Sequence, residues 1–207
     1  MINQKICILN YGSGNVMSVY NLINYLGYNC IVSNKEKDIL NSSHLILPGV
    51  GSFSSSMQKI NNTLPLKLLE SEVLLNKNKF FLGICVGMQV LGQYGYEFKK
   101  CAGLGWIEGE VIKLQTNNSP LPHIGWNNIS IKKNLSFFDN LHEINDFYFV
   151  HSYVLKPKNI ENILSITEYD QKFCSVVKKN NIFGVQFHPE KSQKAGQQLI
   201  KNFLNLK

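Results

Sequence analysis

A chain of 207 residues with 44% hydrophobic and 17% charged residues has an ordinary soluble globular composition and is long enough for a substantial core. The formal net charge is +7, yet all 21 basic residues are lysine, and without arginine's bidentate fork a reader of nucleic acid is disfavoured. The five cysteines (Cys7, Cys30, Cys85, Cys101, Cys174) include no Cys-x-x-Cys pair, which argues against a disulfide framework or a zinc site and for a reducing, cytoplasmic setting.

In chain order, "KICILN" (5–10) predicts a first strand, followed by the turn "YGSGN" and a helix from about Val16 to Leu26. Val16, Val19, Tyr20, Ile23 and Leu26 would share one face of that helix. The runs "NCIVS" (29–33) and "HLILPG" (44–49) predict the next strands, helices follow near 56–62 and 65–76, and "KFFLGIC" (79–85) is a further strand. No window reaches the length of a membrane span, and the N-terminal apolar run is too short for a secretory signal. Strands alternating with helices imply a parallel sheet with right-handed crossovers, whose reactive groups gather at the carboxyl ends of the strands. "YGSGN", "PGVGSF" and the loop at Cys85 all leave such ends.

From about Glu108 the texture changes to short strands: "GEVIKL", "IGWNNISI", "FYFVHSYVL", "ILSITEY" and "FCSVVKKNNIFGVQF", the last with an Asn-Asn tight turn that marks a hairpin. A helix near 192–206 closes the chain. The expectation is one α/β domain over 1–207: a three-layer sandwich with a mostly parallel central sheet and an antiparallel extension inserted before the last helix.

The stretch "FFLGICVGMQVLG" holds Cys85 between Gly83 and Gly87. Gly-x-Cys-x-Gly is the thiol version of the hydrolase nucleophile elbow, in which a strand turns sharply into a helix with the nucleophile on strained backbone at the corner. A buried structural cysteine would give the same short pattern. What favours the nucleophile is "GVQFHPE", about a hundred residues on. There His188 follows an apolar run, Pro189 fixes the turn, and Glu190 can orient one ring nitrogen while the other faces the thiol. The remaining histidines (His44, His123, His142, His151) read as surface or satisfied core residues. The loop "LPGVGSF" places Gly49 and Gly51 around Val50, and a peptide there has the freedom to turn its N–H toward a developing oxyanion.

These residues carry a resemblance. "GICVGMQ" with "GVQFHPE" resembles the class I (triad) glutamine amidotransferases. With "NYGSGNVMSV", "LPGVGSF", "GLGWIEGEV", "PHIGWN", "FYFVHSY" and "HPEKS", which run from residue 10 to 192, the chain resembles the family of glutaminase subunits of imidazole glycerol phosphate synthase. The resemblance implies a flavodoxin-like amidotransferase fold and a catalytic triad of Cys85, His188 and Glu190. It implies that Gly49, Val50, Gly51, Gln89, His151 and Ser152 bind glutamine, and that Asn15, Trp126, Tyr148 and Lys191 line the partner interface and ammonia route. The implied partner is a (β/α)8-barrel cyclase subunit in a heterodimer, with no metal or organic cofactor. Two alternatives stay open: a paralogue that supplies ammonia for an amidino group in surface-glycan sugar synthesis, and a non-catalytic module that keeps the fold for binding. The intact Cys85, His188 and Glu190 argue against the second.

Overall fold

The computed structural model describes residues 5–12, 15–76 and 79–207. The first half runs β1 (Ile6–Leu9), α1 (Val16–Tyr25), β2 (Cys30–Ser33), α2 (Glu36–Leu40), β3 (His44–Gly49), α3 (Phe53–Thr63), α4 (Leu66–Glu70), β4 (Phe80–Cys85) and α5 (Val86–Gln89). β1 and β3 are buried along their whole lengths, as unbroken apolar strands of a parallel sheet covered on both faces should be. Helix α1 turns Val16, Val19 and Ile23 into the core, the stripe its spacing predicts, while Tyr20 and Leu26 stay half-buried at its edge. Helix α3 starts at Phe53, ahead of the expected 56, because the Ser52 hydroxyl caps it by accepting from the Ser55 N–H at 3.4 Å. The helix expected over 65–76 divides into α4 and a π-helical turn, Ser71–Leu75. The turn "YGSGN" lies partly outside the described residues.

The second half contains β5 (Tyr94–Gly95), β6 (Cys101–Ala102), β7 (Gly109–Lys113), β8 (His123–Asn128), β9 (Ser130–Ile131), β10 (Asp146–His151), β11 (Tyr153–Pro157), β12 (Ile163–Tyr169), β13 (Gln171–Lys179), β14 (Ile182–Val185) and α6 (Gln193–Leu204). The main sheet has eight strands in the order β2-β1-β3-β4-β14-β13-β12-β9. The pairs from β2 through β14 are parallel, and β13, β12 and β9 extend the sheet antiparallel. The Asn-Asn hairpin joins β13 to β14, with Asn180 at φ 55°. Its second strand pairs parallel with β4, Val185 opposite Ile84, so the chain leaving β14 emerges beside the chain leaving β4.

Two expected strands prove to be two each. "FYFVHSYVL" breaks at Ser152: β10 pairs with β8 in a two-stranded ribbon, whereas β11 pairs with β7 in a four-stranded sheet ordered β11-β7-β5-β6. "IGWNNISI" likewise divides into β8 and β9, and β9 joins the edge of the main sheet. An apolar run looks the same whether or not its hydrogen-bond partner changes halfway, because the partner lies far away in sequence.

Candidate active site

The carboxyl ends of β1, β3, β4 and β14 are neighbours. Between β4 and α5 the chain makes the predicted elbow: Cys85 has φ 54° and ψ −111°, a left-handed conformation that a non-glycine residue holds only when its surroundings enforce it. The surroundings are the flanking glycines. A Cβ on Gly87 would stand 1.9 Å from the Leu47 carbonyl oxygen, and one on Gly83 would stand 2.4 Å from that of Gly87. No other residue type fits such a corner. Gly49, the last residue of β3, lies opposite Cys85 in the register, and Gly51 takes φ +96° in the loop that follows.

His188 sits on the segment leaving β14, held by its own N–H to the Tyr148 carbonyl at 2.9 Å. Its Nδ1 is 2.7 Å from Glu190 Oε1, with both side chains almost wholly buried. The Asn15 amide donates to the same carboxylate oxygen from the left-handed residue that opens α1. The outer nitrogen of His188, Nε2, has the Cys85 thiol beside it. Burial by itself would lower the pKa of His188; hydrogen bonding and charge from Cys85 on one side and Glu190 on the other outweigh it and raise it. The ring thus stands between the thiol, whose proton it can take, and the carboxylate, which stabilises the imidazolium so formed.

These groups open on a cavity of about 260 Å³ lined by Val50, Gly51, Cys85, Val86, Gln89, Glu97, Pro122, Val150, His151, Ser152, Tyr153 and His188. Of the sequence-predicted substrate residues, Val50, Gly51, Gln89, His151 and Ser152 line it, and Gly49 stands behind Cys85. The side chain of His151 is committed within the protein: Nδ1 lies 3.1 Å from the Tyr153 carbonyl, which can only accept, so Nδ1 carries the proton. Nε2 must then accept from His123 Nδ1 at 3.1 Å, leaving His123 Nε2 to accept from Asn127 at 3.4 Å. Burial, helped for His151 by the neighbouring histidines, pushes the two pKa values down to about 4 (His123) and about 3 (His151). His151 is thus a neutral wall of the cavity.

The structure adds a residue that the sequence reading missed. Glu97 is the one carboxylate among the described residues that line the cavity, fixed by accepting from the Phe53 N–H at 2.8 Å. It stands alone in "YGYEFKK", with no spacing relation to either catalytic motif. Only the fold carries it to the cavity.

The predicted interface residues gather behind the triad. Lys191 Nζ lies 5.7 Å from the centre of the Tyr148 ring, and Tyr148 packs edge-on against Trp126 at 6.1 Å. Trp126 is 45% and Ile124 60% exposed, so this ribbon presents apolar surface outward. A larger cavity of about 360 Å³, between β7, β11, β12 and β13, is lined by aliphatic residues together with four lysines, two glutamines, Phe173 and Cys174, whose pKa burial raises. No histidine lines it, so volume alone does not locate the chemistry. Cys7 and Cys30 are likewise pushed up, to about 12 and about 11, chiefly by burial. Among the described residues no group of three histidine, cysteine or acidic side chains could hold a metal ion, and no helix is long and apolar enough to cross a membrane.

Comparison with known proteins identifies the family. The family model described as glutamine amidotransferase class-I matches residues 7–206. A relative from Methanococcus maripaludis, "Imidazole glycerol phosphate synthase subunit HisH 2", is 44% identical over 96% of this chain and 98% of its own. One from Campylobacter jejuni, "Imidazole glycerol phosphate synthase subunit HisH 1", is 40% identical over 97% of this chain and 100% of its own. Among solved structures, one titled "Structure of PurLQS from Thermotoga maritima" has a TM-score of 0.74 at 18% identity, covering 98% of each chain, a likeness of fold. The chain belongs to the class I glutamine amidotransferases.

Proposed function

We propose that this chain is the glutaminase subunit of an imidazole glycerol phosphate synthase, with Cys85, His188 and Glu190 as its catalytic triad. The observation that carries the reading is the convergence of a strained elbow thiol, a histidine with its outer nitrogen open toward that thiol, and a buried carboxylate on the inner nitrogen. Cys85 Sγ attacks the side-chain amide carbon of glutamine as its proton passes to His188 Nε2. Backbone N–H groups at Val50 and Val86 are the candidates to hold the oxyanion. The C–N bond then breaks as His188 returns the proton to the departing nitrogen, releasing ammonia and leaving a γ-glutamyl thioester. Water, deprotonated by His188, attacks the thioester carbon; the C–S bond breaks, Sγ recovers its proton, and glutamate leaves. Glu97 is suited to the α-ammonium of glutamine, Gln89 Oε1 to its side-chain N–H groups, and the Ser152 hydroxyl to its remaining polar groups.

Ammonia would pass to a (β/α)8-barrel cyclase subunit docked on the face around Asn15, Trp126, Tyr148 and Lys191, forming a heterodimer. The names of the relatives support this partner, and so does the exposed apolar ribbon. A second reading has its own support: the relatives carry numbered names, HisH 1 and HisH 2, so chains of this kind occur in more than one copy. A copy that serves an amidino-sugar pathway would keep the same triad. The test is to combine the purified chain with its organism's barrel cyclase and the cyclase's ribotide substrate, and measure the two cyclised products. Glutamine-dependent product is expected. Cys85→Ala should abolish that route and preserve turnover with ammonium salt. No product with this cyclase, alongside glutaminase activity, would transfer the chain to the second reading; undiminished glutamine use by Cys85→Ala would overturn the triad.

A further inference from the structure

Cys85 Sγ has neighbours besides His188. The Val150 carbonyl is 4.0 Å away, and the Gln186 side-chain Nε2 is 3.7 Å away. A carbonyl can serve only a protonated thiol, whereas an amide N–H can serve a thiolate. Gln186 is fully buried, in "GVQFHPE" two residues before the catalytic histidine, and its backbone N–H is tied to the Ser175 carbonyl at 2.9 Å. The orientation of its amide is settled by a second glutamine. Gln89 Nε2 lies 2.9 Å from the Tyr153 carbonyl and 3.2 Å from Gln186 Oε1. Both of those are acceptors, so Gln89 spends its two N–H groups there. Gln186 Oε1 is thus the accepting end, and its Nε2 is left to point at sulfur. The Tyr153 carbonyl that anchors Gln89 is the same one that anchors His151.

We propose that Gln186 is a further catalytic residue: its side-chain N–H donates to the Cys85 thiolate, with Gln89 as the positioning residue that sets which end of the amide faces sulfur. The inference rests on the triad reading and deepens it. Each protonation state of the nucleophile then has a partner, Val150 O for the thiol and Gln186 Nε2 together with His188 for the thiolate. Cys85 is 3% exposed, so its sulfur has little water to do this work. The titratable groups facing Cys85 are His188 and Glu190 behind it, His151 on the ribbon wall and Glu97 across the cavity.

The test follows the alkylation of Cys85 by iodoacetamide between pH 5 and 10, read by mass spectrometry of the Cys85 peptide, which needs no glutamine turnover. Gln186→Met fills the space without a donor, and Gln186→Glu keeps an acceptor for Gln89 but turns a carboxylate toward sulfur. At neutral pH alkylation should slow about tenfold or more in Gln186→Met, the usual worth of a hydrogen bond to a charged group, and further in Gln186→Glu. The rates should converge with wild type at high pH, where every thiol is ionised; a packing defect would not produce that convergence. The loss in glutamine turnover should fall on kcat, with KM within about twofold. As a measurement independent of how the variants fold, glutamine side-chain amides labelled with ¹⁵N in the wild-type chain should include one that shifts with the alkylation midpoint and ceases to shift in Cys85→Ala. Superimposable pH profiles, or no such amide, would overturn the role of Gln186 while leaving the triad intact. Failure of Cys85 to react ahead of the other four cysteines would instead count against the triad.

Discussion

Two walls of one cavity each present a histidine, and the two have opposite character. On the wall built from β4 and β14, His188 is flanked by a thiol and a carboxylate, and its pKa is raised although the ring is buried. On the ribbon wall of β8 and β10, His151 is flanked by a carbonyl and a second neutral histidine, and its pKa falls to about 3. Burial is nearly the same on both sides: 1% exposure for His188 and 6% for His151. What differs is the partner. A ring between two groups that become anions is a proton carrier, and a ring between two hydrogen-bonding neutrals is a spacer. The ribbon wall is built for shape: His123 stacks between Tyr169 at 4.0 Å and Phe149 at 5.0 Å, and Tyr169 is anchored by its hydroxyl to the Pro120 carbonyl at 2.8 Å.

The widest separation between the walls should appear in turnover. His188→Ala removes the proposed proton carrier and should cut glutamine-dependent kcat by about 10⁴-fold or more, by analogy with triads elsewhere. His151→Gln, at a spacer position, should cost no more than about tenfold. Steady-state kinetics on both variants decides it, and comparable losses would erase the distinction. A middle effect belongs to Glu190→Gln, which keeps the shape and the bond from Asn15 but removes the charge that orients and stabilises the imidazolium. Its loss in kcat should fall between the other two, with ammonium-dependent synthesis preserved when the proposed barrel partner is present.

The smallest effect should be in stability against pH, where the walls pull in opposite directions. On the ribbon wall His123 and His151 have folded pKa values of about 4 and 3, depressed chiefly by burial. Below the unfolded value of about 6.5 the unfolded chain binds protons that the folded chain refuses, so their contribution is full above that pH and is lost as the pH falls. For His188, raised to about 10, the sign reverses: its contribution is full below about 6.5 and is lost as the pH rises through the folded value. Urea unfolding between pH 4.5 and 9.5 should show both flanks. His123→Gln should flatten the acid one alone, and an unchanged acid flank would show that the ribbon histidines are already protonated in the folded state.

Much of this was legible in the residues. The elbow could be read because its constraint is local: a strand that must turn within one residue forces glycine at Gly83 and Gly87, and both lie within two residues of Cys85. His188 and Glu190 could be read together for the same reason, since two residues and a proline set their geometry. Strands that match their predicted limits, such as β3 and β12, are uninterrupted β-rich runs with one set of partners. Where partners change inside a run, as at Ser152, periodicity gave no sign of it.

What the sequence by itself determined is the chemistry within a few residues: which thiol can stand on strained backbone, which imidazole has its own carboxylate, and which glycines cannot be replaced. Only the tertiary structure decided what meets across long separations. The Asn-Asn hairpin returns β14 parallel to β4, bringing His188 to Cys85 from 103 positions away. The same sheet sets Gln186 against Gln89, and the β5–β6 loop delivers a lone Glu97 to the cavity. The physical reason is that these meetings are fixed by strand order and register, which depend on the packing of the whole sheet and leave no trace in the spacing of the residues they join.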